Sequence, residues 1–113
     1  KLLPGGIKLE KGTAVWGLDH ILRNHHALTT VANKSKFLPG MGQKEISDLL
    51  EEGLQRGGAW VDDLTDPSAP KRIYEVGMGR VIGVDQSGNP VSSLLIVVRK
   101  DLNSVTSAYP VSP

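Results

Sequence analysis

The sequence predicts an α+β domain in which two N-terminal helices pack on one face of a twisted antiparallel sheet of about four to five strands. Three observations carry that expectation. Two stretches in the first half repeat their apolar residues every three to four positions, the period of a helix with one buried face. After Gly57-Gly58 the period falls to two, the spacing of strands with one side inward. The helices come first and the strands follow, so the elements do not alternate.

With 113 residues, 39% of them hydrophobic, the chain matches one domain around a single core. It divides into a lead-in (1–12), a helical part (13–57) and a β part (58–113). Residues 1–12 hold a Pro4-Gly5-Gly6 turn and then Ile7 and Leu9, a short strand or extended entry. Val15 to His26 is the first helix, because Leu18, Ile21, Leu22 and His25 fall at i, i+3, i+4 and i+7. Its end is expected near Leu28 to Thr30, where β-branched residues gather. Ala32 to Gly42 reads as a loop, with Pro39-Gly40 as punctuation. Gln43 to Arg56 is the stronger helix, carrying Ile46, Leu49, Leu50, Gly53 and Leu54 on one face and ending at Gly57-Gly58. Its other face, with Glu45, Asp48, Glu51 and Glu52, is expected to be solvated and to repel nucleic acid.

The strands follow in order. Ala59-Trp60-Val61 is a first short one, and Asp62 to Pro70 a turn-rich loop. Residues 72–85 form one bent strand or two joined at Gly77-Met78-Gly79. Gln86 to Pro90 is a hairpin turn. Val91 to Arg99 is the most apolar strand and therefore central, and Val105 to Val111 closes the chain.

Composition excludes several classes of function. Formal charge is +1, so no bulk electrostatic signal announces a nucleic-acid binder. The charge is uneven, however: residues 45–66 hold seven acids against Arg56 alone, which leaves the remainder basic and allows a basic cleft. No cysteine is present, so disulfides and thiolate zinc sites are excluded. No apolar run approaches the roughly 18 residues of a membrane span, and the chain is expected to be soluble. Lys1 is not a natural start, which suggests a segment of a longer protein.

All three histidines, His20, His25 and His26, fall within seven residues of the first helix. Imidazole gives and takes protons near neutrality, and two rings about 140° apart on one helix flank a cleft running along it. His25 shares the apolar stripe, where a histidine is usually a satisfied core residue. His20 shares a polar face with Trp16, Arg23 and Asn24, which favours it as the residue facing the cleft. Metal-free RNA cleavage needs a base for the ribose 2′-hydroxyl, an acid for the leaving 5′-oxygen and cations for the phosphate. Arg23, Lys34, Lys36, Arg80, Arg99 and Lys100 are the available cations, and Thr106 and Tyr109 the available hydroxyls. The chain has no G-x-S-x-G elbow and no phosphate-binding glycine loop. His20 and His25 at i and i+5 do not share a helix face for zinc, so no metal and no cofactor is expected.

The helix motif His20-Ile21-Leu22-Arg23-Asn24-His25, the second amphipathic helix, the Gly79-Arg80-Val81-Ile82-Gly83 and Val97-Val98-Arg99-Lys100 segments and the terminal Thr106-Ser107-Ala108-Tyr109-Pro110 stand in a characteristic order. Together they resemble the barnase, EndoU, colicin and RelE-like nuclease superfamily, known as BECR. Within it the chain is most similar to nuclease domains at the C-termini of contact-dependent growth inhibition proteins. The resemblance spans Val15 to Val111. It implies a BECR/RelE-like fold and a metal-independent ribonuclease toxin, expected to cut tRNA by 2′-hydroxyl attack and leave 2′,3′-cyclic phosphate ends. It implicates His20, Arg23, His25, Thr106 and Tyr109 in catalysis, with Lys34, Lys36, Arg80, Arg99 and Lys100 as RNA contacts chosen by charge. Relatives end the helix motif Arg-His, whereas Asn24-His25-His26 follows Arg23 here, so the choice of base and acid stays open. The resemblance further implies export as part of a larger surface or secreted bacterial protein, action in the target cytoplasm, a cognate acidic immunity protein, and a host factor as an optional partner. The competing reading is a non-catalytic protein-binding module with structural histidines.

Overall fold

In the computed structural model, which describes residues 1–57 and 59–113, the elements run β1 (Leu2–Leu3), a 3-10 turn (Pro4–Gly6), β2 (Ile7–Lys8), α1 (Gly17–His25), β3 (Lys36–Phe37) and α2 (Gln43–Arg56). The second half continues with β4 (Trp60–Asp63), β5 (Lys71–Gly77), β6 (Gly83–Val84), β7 (Pro90–Val91), β8 (Ser93–Arg99) and β9 (Ser104–Val111). The predicted α+β class holds: two helices accompany a curled, mostly antiparallel sheet.

The main sheet has six strands in the order β1-β2-β9-β8-β5-β4, and a small sheet has the order β3-β6-β7. The expected four to five strands undercount it, because the lead-in adds two. The 3-10 turn folds β1 back antiparallel on β2, and β2 then pairs in parallel with β9 through Lys8 and Ser104. Asn103 secures this join by donating its side-chain amide to the carbonyls of Gly5 and Gly6. Every other pairing of the main sheet is antiparallel.

β8 is central, between β9 and β5, as its composition predicts. Its pleat sends Leu94, Ile96 and Val98 into the core at 0% exposure, while Leu95 and Val97 stay half-buried on the other face. Each inward side chain contributes roughly 1.5–3 kcal/mol by leaving water. Both helices join that core, α1 through Leu18 and Ile21, α2 through Ile46, Leu49 and Leu50. α2 seats closely on the sheet because residue 53 lacks a side chain. A Cβ there would meet Leu94 Cδ2 at 3.1 Å.

Where the boundaries differ from expectation, local bonds explain it. α1 starts at Gly17 rather than Val15, since the Thr13 amide donates to the Trp16 carbonyl and folds residues 13–16 into a turn. It stops at His25, short of Leu28: His26 turns extended, and the Thr29 hydroxyl takes up the Arg23 carbonyl that another turn would have used. The predicted loop 32–42 contains β3, whose partner β6 is far away in sequence. Of the two readings of residues 72–85, two separate strands is the one found, and β5 and β6 lie in different sheets. Gly57 ends α2 at φ 71°, and Gly58, the second half of the predicted stop, lies outside the described residues. The acidic face of α2 is ion-paired rather than merely solvated: Asp48 meets Lys1 and Lys44, and Glu52 meets Arg56 and Arg80.

Candidate active site

α1 lies along β9, and that contact brings His25 against Tyr109. The two rings stack with centroids 4.9 Å apart and an interplanar angle of 20°. His25 is 5% exposed, and its Nδ1 lies 2.8 Å from the Ser35 carbonyl oxygen. A carbonyl only accepts, so Nδ1 carries the proton and donates. Burial holds the His25 pKa below the ordinary histidine value, the Ser35 bond opposes this, and the neighbouring His20 and Lys34 add to the depression. His25 is therefore a neutral, fixed ring that positions Tyr109.

His20 lies one turn earlier, half-buried, with its ring centroid 6.2 Å from that of His25. Its Nδ1 is 2.9 Å from the Ala14 carbonyl, and the Asn24 amide donates to the His20 carbonyl, also at 2.9 Å. The Asn24 Nδ2 lies 3.1 Å from the same nitrogen and can only donate to it, so the two neighbours ask opposite tautomers of the ring; the shorter contact, to Ala14, is the one that puts the proton on Nδ1. In the neutral ring the lone pair is then on Nε2, the form a general base requires. The turn that shortens α1 thus also favours this tautomer of His20 against the pull of Asn24, since it presents Ala14 to the ring.

Two hollows open along β9. A cleft of about 600 Å³ at the first half of the strand is lined by Trp16, Lys71, Arg99 and Thr106, among others. A hollow of about 300 Å³ at the second half is lined by Ser35, Asp85, Ser87 and Tyr109, among others. Each histidine is tied to one of them. His20 is held by the turn that carries Trp16, and His25 touches both Ser35 and Tyr109.

Of the residues expected in catalysis, the fold brings His20, His25 and Tyr109 together and puts Thr106 in the neighbouring cleft. Arg23 does not join them. It pairs with Asp19 at 3.0 Å, and its side chain is 62% exposed. The expected RNA-contacting cations also separate. Arg80 is held bidentately by Glu52 on α2 at 2.7 and 2.9 Å, because the β5–β6 connection passes over that helix. Lys100 is paired with Asp62 at 3.1 Å. Arg99 lines the larger cleft, with its charge shared by Asp101 at 2.8 Å. Lys34 is exposed and close enough to His25 to disfavour its protonation, and Lys36 lies in β3.

Sequence reading missed Lys8, Lys71 and Ser35, and it noted Trp16 only as a neighbour of His20. Lys8 and Lys71 become neighbours of Arg99 only through strand register, which no local pattern encodes. Ser35 contributes a backbone oxygen, invisible to any residue-type argument. Among the described residues no group of three or more His, Asp or Glu stands where it could hold a metal ion. Set against protein-family models, curated proteins and solved structures, the chain matches none.

Proposed function

We propose that this domain is a metal-independent endoribonuclease with His20 as general base, acting as an antibacterial toxin of the kind its motifs resemble. One observation supports this above the others: His20 Nδ1 lies 2.9 Å from the Ala14 carbonyl, and the tautomer that donates there leaves Nε2 to take a proton, beside a cleft containing cations and an indole. In the reaction His20 Nε2 removes the 2′-hydroxyl proton, the 2′-oxygen attacks phosphorus, and the P–O5′ bond breaks. The departing 5′-oxygen takes a proton from the Tyr109 hydroxyl, and the His20 imidazolium then restores that proton through solvent. The products are a 2′,3′-cyclic phosphate and a 5′-hydroxyl, and DNA, lacking the 2′-hydroxyl, is not cut. His25 acts on Tyr109 by stacking, without exchanging a proton itself.

tRNA is the proposed substrate, the cytoplasm of a neighbouring bacterium the place of action, and a small acidic immunity protein covering the basic cleft the cognate partner. The test is to incubate the purified domain with total bacterial RNA in EDTA, resolve the fragments and examine their 3′ ends for cyclic phosphate. Discrete tRNA fragments with cyclic ends support the proposal. Intact RNA, both with the domain alone and in cell lysate supplying any host factor, overturns it. The protein-binding alternative is favoured by the edge strand β4, which leaves Val61 71% and Trp60 49% exposed. It predicts intact RNA in both conditions.

A further inference from the structure

The larger cleft has a feature beyond the catalytic reading. Lys71 lies directly opposite Arg99 across β5 and β8, Arg99 opposite Ser104 across β8 and β9, and Ser104 opposite Lys8 across β9 and β2. Directly paired residues share a sheet face, and all four line the cleft. Three cations and a hydroxyl therefore form one row across four strands, spanning roughly 14 Å at the usual strand spacing. Like charges directly opposite one another destabilise a sheet. Asp101 pairs with Arg99, and Asp63 stands directly opposite Lys71 across β4 and β5, although among the described residues neither Lys8 nor Lys71 makes a close ion pair. With Glu10 also lining the cleft, the charge of the row is countered locally, and what it offers a phosphate is a line of separate cationic donors rather than a net positive field.

Trp16 forms part of the wall beside this row. It is half-buried, and its backbone is fixed: its carbonyl accepts from the Thr13 amide at 2.9 Å, and a Cβ on Gly12 would lie only 2.1 Å from its oxygen. An indole on a fixed backbone next to a line of cations matches the two needs of an unpaired nucleic-acid strand, a plane for a base and charge for the backbone.

We infer that this cleft is a binding site for single-stranded nucleic acid, in which Lys71, Arg99 and Lys8 hold successive phosphates and an unpaired base stacks on Trp16. It deepens the ribonuclease reading by naming an unpaired segment as the part of the RNA that docks beside His20. A base already paired in a duplex cannot reach the indole without unstacking.

The experiment measures fluorescence anisotropy of labelled short oligonucleotides over a range of salt. The probes are a single-stranded oligodeoxynucleotide, which the proposed chemistry cannot cut, its ribo counterpart with the His20→Gln protein, and a duplex of the same sequence. Replacing both Lys8 and Lys71 by alanine is expected to reduce the slope of log K against log salt by about 1.4, at roughly 0.7 per lost phosphate contact on a single strand. Trp16→Ala is expected to weaken single-strand binding about 5- to 150-fold, and Trp16→Phe to restore most of it. Lys44→Ala, on the exposed face of α2, serves as the charge control and leaves binding as it was. Circular dichroism verifies folding of each variant. The inference is overturned if the salt slope is unchanged by the double lysine variant, or if duplex binds as tightly as single strand. Binding that depends on Lys8, Lys71 and Trp16 in a domain that cuts no RNA would retain the inference and remove the ribonuclease reading. Cleavage with the slope and affinity untouched by these variants would do the reverse.

Discussion

Replacing His25 by alanine tests the account of the histidine pair, because that ring has a structural role that can be sized. It is 5% exposed, stacked on Tyr109 and bonded to the Ser35 carbonyl. Truncation opens a cavity beside Tyr109 and leaves a buried carbonyl without its donor, for a combined cost of about 3 kcal/mol. Small domains have about 5–15 kcal/mol in total, so the variant stays folded while its melting temperature falls by roughly 12 °C, at about 4 °C per kcal/mol. His25→Gln retains a donor for Ser35 and recovers part of the loss. The pH dependence gives a second reading. The folded pKa lies below the ordinary 6.5, so between the two values the unfolded chain binds the proton more readily. Stability from this group is complete above pH 6.5 and is lost as pH falls through the folded value. Denaturant unfolding from pH 7 to pH 5 reads it directly, with the wild type losing more stability than His25→Gln. Equal losses in the two proteins would refute a buried, neutral His25.

Further outcomes follow from the same geometry. His20→Gln is expected to leave the melting temperature within about 2 °C and to reduce RNA cleavage by 10²-fold or more, seen in the same gel assay. Gly12→Ala is incompatible with both a φ of 66° and the 2.1 Å approach to the Trp16 oxygen, so it displaces Trp16 and raises KM for RNA. In Gly53→Ala, better helix propensity by about 1 kcal/mol opposes overpacking of about 1–3 kcal/mol against Leu94. Net loss is expected on thermal unfolding, and stabilisation would mean α2 stands farther from β8. Glu52 is held at about 2, below its ordinary 4.5, mainly by its hydrogen bond to Arg80. Its contribution is present above pH 4.5 and is lost as pH falls through 2. Because the pair is solvent-exposed, Glu52→Gln costs only about 1 kcal/mol at pH 7, and acid unfolding shows the difference from wild type vanishing at low pH.

How much of this was legible in the sequence depends on the range of the interaction concerned. α2 and the central place of β8 follow from apolar spacing, which is local. The contrast between His20 and His25 was also legible, since an apolar stripe marks the buried ring. What escaped depends on register and on backbone atoms. β3, β6 and β7 are two residues each, too short for any period; β6 and β7 meet across the local Gln86 to Pro90 turn, but β3 exists as a strand only because the distant β6 meets it. Arg80 offered a free cation until α2 brought Glu52 beside it, 28 residues away in sequence. The cleft is the extreme case: Lys8 and Lys71 lie in different halves of the chain, and only the order β2-β9-β8-β5 aligns them.

The parallel join of β2 to β9 also bears on the order of folding. Lys8 and Ser104 are 96 residues apart, so their meeting closes nearly the whole chain, whereas β8–β9 and β5–β8 are successive antiparallel neighbours. The entropy of closing so long a loop must be met before the contact returns anything. The antiparallel neighbours therefore form first, and β2 docks on a sheet already assembled. Lys8 is the last member of its row to arrive, so the domain acquires its full positive row only as folding is completed.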